Sequence, residues 1–178
     1  ATVFLMAAGI NIGEANRKFV EDKEYLEQIP IAAKLLAEYP DKIAMPVDVA
    51  LNKNGERIDV AVSALSNDLP IADIGLETIV DYSKELKDAR VTVMNGPAGI
   101  FEQEKFKLGT SELLKASAES DYSIAGGGHS VAAIEQLGLE PKFSHVSMGG
   151  GASITYLSGE PLPGIEALKK YALKVRKA

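Results

Sequence analysis

The chain has 178 residues, 46% of them hydrophobic and 25% charged, with a formal net charge of −6. That is enough for one buried core, argues against disorder, and sets the chain as a whole against DNA and anionic membranes. It has no cysteine, which removes disulfides, thiolate metal sites and zinc-finger chemistry. With no run of about 18 apolar residues and no basic secretion flank, a soluble cytoplasmic protein is the expectation.

Residues 2–8 read as the last turns of a helix closed by Gly9, with nothing before them to serve as strand or cap, so the start reads as truncated. From residue 22 to 39, Tyr25, Leu26, Ile29, Ala32, Ala33 and Leu36 recur at helical spacing. They predict one amphipathic helix, kinked or broken early at Pro30 and left at Pro40. Residues 43–49 read as a buried strand, and 58–65 as a second strand or hairpin partner across Asn52-Lys53-Asn54-Gly55. A helix at 76–87, a strand at 91–94, a helix at 106–120 and a strand at 122–125 follow. Then come a helix at 129–137, a strand at 145–148 and a helix from Ala152. The basic tail, residues 169–177, reads as the solvated face of a terminal helix rather than a nucleic-acid arm.

This alternation predicts an α/β fold: a doubly wound, mostly parallel sheet with helices on both faces, Rossmann-like in three layers and incomplete at the amino end. In such sheets ligands sit beyond the carboxyl ends of the strands, where residues 95–102, 126–130 and 149–151 converge.

Two glycine triplets, Gly126-Gly127-Gly128 and Gly149-Gly150-Gly151, each close an apolar run and open a helix. A helix start offers unpaired N–H groups and partial positive charge, which makes both triplets candidate phosphate cradles; the alternative is a tight turn with close packing. Neither fits the P-loop, since no Lys-Ser or Lys-Thr follows, nor the dinucleotide fingerprint. Asn95-Gly96-Pro97-Ala98-Gly99 is a turn-rich loop, and Glu102 beyond it reads either as a carboxylate for sugar hydroxyls or as an ordinary solvent-facing residue. His129 reads as a hydrogen-bond donor to a phosphate, a helix cap or a metal ligand.

Residues 93–102, Phe106, Gly109-Thr110, residues 125–130 and 144–153, and the trailing 162–168 together closely resemble the phosphoglycerate kinase family. Pro46-Val47-Asp48 and Asp73-Ile74-Gly75 match between them. The resemblance spans essentially the whole chain but only part of the family's protein. It implies that residues 1–178 are the carboxyl-terminal, nucleotide-binding domain of an archaeal-type member, lacking its first strands.

By that resemblance Gly75 lines the adenine pocket, Asn95 and Pro97 lie beside the nucleotide, and Glu102 binds ribose hydroxyls. Gly126, Gly127, Gly128, His129 and Ser130 belong to the nucleotide site. Gly127 and Gly128 face the transferring phosphoryl group, with Gly150 and Gly151 aimed at the same region. The implied reaction is reversible phosphoryl transfer between 1,3-bisphosphoglycerate and ADP, giving 3-phosphoglycerate and ATP, with Mg²⁺ bound to the nucleotide. The 3-phosphoglycerate site is expected on a missing amino-terminal domain, so the chain alone is expected to turn over little. Most members have Asp-Thr where this chain has His129-Ser130, so no residue is assigned as a metal ligand and the metal is expected to rely on phosphates and water. A non-catalytic nucleotide- or sugar-phosphate-binding α/β module and an inert fragment are the alternatives. His145 is a hinge residue by the resemblance; the reading preferred here is a core histidine satisfied by backbone.

Overall fold

The structure, a computed structural model, describes residues 1–65 and 68–175. Helix α1 (Thr2–Ala7) ends as expected, with Gly9 in the left-handed region at φ +77°. The single helix expected over 22–39 is not there. Instead α2 (Glu14–Asp22) ends where it was to begin, Glu24 takes φ +57°, and after one 3₁₀ turn α3 (Ile29–Glu38) starts with Pro30 in its first turn. The first N–H groups of a helix have no carbonyl to reach, so proline costs no hydrogen bond there and Pro30 opens α3 rather than kinking it.

Strand β1 (Asp48–Lys53) and β2 (Glu56–Ala61) form the expected hairpin. Lys53 pairs with Glu56, leaving Asn54 and Gly55 as a two-residue turn at φ +54° and +87°. The first strand therefore begins at Asp48 rather than at residue 43. A strand not anticipated, β3 (Ile71–Ile74), pairs antiparallel with β1 on its other side and leads into α4 (Leu76–Asp88).

The second sheet is parallel, in the order β4 (Val91–Asn95), β5 (Tyr122–Gly126), β6 (His145–Ser147). Its crossovers contain α5 (Leu108–Ser117) and α6 (Gly128–Gln136), and α7 (Gly150–Leu157) and α8 (Pro163–Val175) follow. The α/β class and the parallel sheet are as expected. Among the described residues the six strands nevertheless divide into two sheets of three: the two-residue Asn-Gly turn makes β1 and β2 antiparallel neighbours, and β3 joins β1 rather than the parallel strands. The described part of the basic tail is the end of α8; Lys177 lies outside the described residues.

Leu5, Ile12, Val49, Leu51, Val62 and Leu65 form the core of the antiparallel half. Leu114, Ala125, Ala133, Ile134, Leu139 and Phe143 pack α5 and α6 onto one face of the parallel sheet. Between the two lie Ile74, Ile79 and Leu113.

Two buried carboxylates tie these parts together. Asp48 on β1 accepts from the N–H groups of Glu77 (2.9 Å) and Thr78 (2.8 Å) and from the Thr78 hydroxyl (2.6 Å), so it caps α4 from a neighbouring strand. Asp73 on β3 accepts from Arg57 Nη1 (2.8 Å) and from the N–H groups of Gly109 (2.8 Å) and Ile74 (2.9 Å), linking the antiparallel sheet to the start of α5.

Burial pushes the Asp48 carboxyl up, but hydrogen bonds from Thr78 and Glu77 and the nearby Arg57 charge outweigh it and hold the group below its ordinary 3.8. A depressed value means that this contribution to stability is present above 3.8 and is lost as pH falls through the folded value. Asp48→Asn is expected to flatten the loss of stability between about pH 5 and pH 3. Urea unfolding of both proteins at the two pH values checks this, and an unchanged pH slope counts against it.

Candidate functional site

The carboxyl ends of the parallel strands are in register, with Asn95 opposite Gly126 and Gly126 opposite Ser147. This brings the loop after β4 and both glycine triplets to one rim, as the alternation of elements predicted. The Gly127 N–H donates to Ser147 O at 3.1 Å, fastening the first triplet to the end of β6.

The triplets touch each other, and their glycines divide into two kinds. A Cβ on Gly150 would lie 2.6 Å from Gly127 Cα and N and 2.8 Å from Asn95 Oδ1. One on Gly127 would lie 2.8 Å from the same oxygen, and one on Gly126 would lie 3.2 Å from Gly150 Cα. These three are glycine because two loops and a side chain crowd the same point. Gly128 and Gly151 have nothing within 4 Å of a Cβ, so internal packing does not require glycine there.

Helices α6 and α7 start at this junction with 9 and 8 residues and no side-chain cap. The N–H groups of Gly128, His129 and Ser130, and of Gly150, Gly151 and Ala152, stand in first turns where no intrahelical carbonyl is available. Two such helix starts side by side make a field that favours an anion. The residues 126–130 and 149–151 include no Lys or Arg, so main-chain dipoles rather than cationic side chains carry that preference.

The other residues singled out from the sequence sit as follows. Asn95 is exposed and its amide oxygen fills the notch between the triplets. Pro97, Glu102 and His129 are exposed. Ser130 is 2% exposed, and its hydroxyl oxygen accepts from the Gly96 N–H at 2.8 Å. Gly75 lies at the start of α4, where a Cβ would fall 2.1 Å from Asp48 Cγ; the buried carboxylate accounts for glycine at that position. His145 is exposed on β6, not the backbone-satisfied core residue preferred from sequence.

Sequence reading did not find Thr110 or Asp73 as organisers of the rim. Thr110 is buried on α5 and accepts from the N–H groups of Ala98 (3.0 Å) and Gly99 (3.3 Å). A Cβ on Gly99 or Gly109 would lie 2.4 or 2.2 Å from Asp73 Oδ1, so both glycines admit this carboxylate. The available signal was Asp48 and Asp73 standing inside the apolar runs Val47-Asp48-Val49 and Ala72-Asp73-Ile74, since a carboxylate in a strand needs buried donors.

The family model for phosphoglycerate kinase matches residues 1–160. The chain belongs to the phosphoglycerate kinase family. It is similar to phosphoglycerate kinase 1 of Methanosarcina acetivorans, with 67% identity over 172 residues that cover 97% of this chain and 42% of the relative. The phosphoglycerate kinase of Methanothermus fervidus is 49% identical over 96% of this chain and 42% of its own length. Among solved structures, phosphoglycerate kinase from Pyrococcus horikoshii is similar at a TM-score of 0.85 and 39% identity, covering 94% of this chain and 42% of that one. The chain thus spans about 42% of the length of these phosphoglycerate kinases. Among the described residues no helix is long and apolar enough to cross a membrane.

Family members act on nucleotides that carry Mg²⁺, and the residues that follow the first glycine triplet do not by themselves make a protein-held magnesium site. His129 offers nitrogen where Mg²⁺ demands oxygen, the Ser130 hydroxyl is already engaged, and no cluster of three His, Asp or Glu occurs among the described residues.

Proposed function

We propose that residues 1–178 are the nucleotide-binding part of a cytoplasmic phosphoglycerate kinase, which moves a phosphoryl group reversibly between 1,3-bisphosphoglycerate and ADP to give 3-phosphoglycerate and ATP. The observation that carries this reading is the junction of two uncapped helix starts at which Gly128 and Gly151 have open space in front of them. In this reading the nucleotide phosphates lie against the N–H groups of residues 128–130 and 150–152. Gly75, Asn95, Pro97 and Glu102 serve base and sugar, and Gly126 and His129 stand beside the phosphates.

Phosphoryl transfer requires little covalent work from a protein; alignment and stabilisation of charge on the phosphoryl oxygens dominate. Gly127, Gly128, Gly150 and Gly151 are the catalytic positions of the proposal, because their helix starts present fixed dipoles to the transferring group. Mg²⁺ enters with the nucleotide, and no step here is assigned to a protein-bound ion. The 3-phosphoglycerate site belongs to the part of the relatives that this chain does not span, so the chain alone is expected to bind nucleotide without appreciable turnover.

Gly128→Ala tests the reading. The position is helical and open, so alanine is expected to leave stability unchanged or raise it by about 0.5–1 kcal/mol. The new methyl would stand where a phosphate approaches, and MgADP affinity is expected to fall about tenfold or more. Calorimetric titration of both proteins decides it: absence of MgADP binding by the unaltered chain, or equal affinity in the variant, overturns the proposal.

A further inference from the structure

We propose that the Ser130 hydroxyl is a positioning group that sets Asn95 through the Gly96 amide, rather than a side chain that touches the nucleotide. Its ligand consequence rests on the nucleotide reading above; its structural consequence does not.

The loop after β4 is held by two buried hydroxyls from two different helices. Ser130 on α6 takes the Gly96 N–H at 2.8 Å, and Thr110 on α5 takes those of Ala98 at 3.0 Å and Gly99 at 3.3 Å. The next amide, Ile100 N–H, reaches Ala72 O on β3 at 2.8 Å. Each of residues 96 and 98–100 thereby has its N–H engaged, although the segment is neither helix nor strand.

The Ser130 bond has a geometric consequence. A peptide group is planar, so fixing the Gly96 N–H fixes the Asn95–Gly96 peptide plane. On its other side Asn95 is held by the β4 ladder, opposite Gly126. The direction in which the Asn95 side chain leaves the backbone is then determined, and its Oδ1 comes to rest in the notch where Gly127 and Gly150 meet. Ser130 belongs to the first turn of α6, together with Gly128 and His129. One buried hydroxyl therefore couples an anion-facing helix start to the side chain that separates the two triplets. At 2% exposure and already accepting a hydrogen bond, that hydroxyl is turned inward rather than toward a ligand on the rim.

The test uses the chain with Ser130→Ala, Ser130→Thr and Thr110→Val, followed by amide hydrogen exchange and Asn95 side-chain resonances in NMR spectra and by MgADP titration. Ser130→Ala is expected to speed Gly96 exchange about tenfold, shift the Asn95 side-chain amide signals and weaken MgADP about fivefold. Ser130→Thr keeps the hydroxyl and is expected to restore all three, while Thr110→Val is expected to speed Ala98 and Gly99 and leave Gly96 protected. Unchanged Gly96 protection in Ser130→Ala overturns the proposal. So does weaker MgADP binding with Gly96 and Asn95 unchanged, which would mean direct contact with the nucleotide. If Ser130→Ala does not fold, the unaltered chain decides: a Gly96 amide exchanging at the rate of an unprotected glycine overturns the proposal. Failure of the unaltered chain to bind MgADP overturns the function proposed above, and the exchange and Asn95 readouts still decide this inference.

Discussion

Gly150→Ala is expected to lower stability by about 2 kcal/mol and to remove measurable ADP binding. A Cβ there would stand 2.6 Å from the Gly127 Cα and N. Both are backbone atoms, and Gly127 is itself tied to Ser147 O and held at φ +94°. Moving aside the Asn95 side chain, which lies 2.8 Å away, would not relieve this backbone clash, so the methyl must push one triplet off the other and displace Asn95 from the notch. The two helix starts would then no longer face a common point. Gly151→Ala is the matched comparison: it lies one residue further along the same helix, with nothing within 4 Å of its Cβ. Its stability is expected to stay within about 0.5 kcal/mol of the parent or rise slightly. Urea unfolding combined with MgADP calorimetry separates the two, and a Gly150→Ala protein as stable as Gly151→Ala would refute the packing argument.

Asp73→Ala is expected to cost about 3 kcal/mol or more. The pair it forms with Arg57 is no source of large net stability, because burial costs both charges their hydration; burial pushes the Asp73 carboxyl above its ordinary 3.8 against the pull of the Gly109 N–H and Arg57. Removing one partner is a different matter. The Arg57 guanidinium, whose side chain is 13% exposed, would keep Asp59 as its one carboxylate partner in the structure, with the Ile74 and Lys105 carbonyls beside it. The Gly109 and Ile74 N–H groups would lose their acceptor in a buried site. The start of α5 would also lose its tie to β3, one of the links between the two sheets. Glu56→Gln, which breaks an ion pair with side chains 49% and 71% exposed, is expected to change stability by less than about 0.5 kcal/mol. Thermal and urea unfolding compare the two; an Asp73→Ala loss no larger than that of Glu56→Gln would contradict this account.

The two buried carboxylates also act oppositely on acid stability. Asp73, with its folded value raised, contributes most below 3.8 and loses that contribution as pH rises through the folded value. Asp48 does the reverse. The acid side of the stability curve is therefore a difference between two titrations, and Asp48→Asn exposes the Asp73 share.

Sequence reading succeeded where the conformational preference is carried by the residues concerned. Asn54-Gly55 makes its hairpin because those two residues accept positive φ, and Gly9 ends α1 for the same reason. It failed at residues 22–39, where helical spacing runs on through a break at Glu24 that no residue type announces. The fold class, the parallel strands β4 to β6, the gathering of three loops at one rim and the family itself were all legible, because each follows from the order of local elements or from motifs in series.

The glycines show where that reach ends. All 16 of them look alike in the sequence, yet Gly75, Gly99 and Gly109 make room for carboxylates, Gly126, Gly127 and Gly150 make room for each other, and Gly128 and Gly151 face open space. Ser130 likewise looks like any serine at a helix start until Gly96, 34 residues away, is brought against it. The chain's own residues determined which elements form and in what order, since torsional preference and apolar spacing are local. Which atoms meet across the rim was decided by tertiary structure, because a clash or a hydrogen bond depends on what distant segments place within about 3 Å.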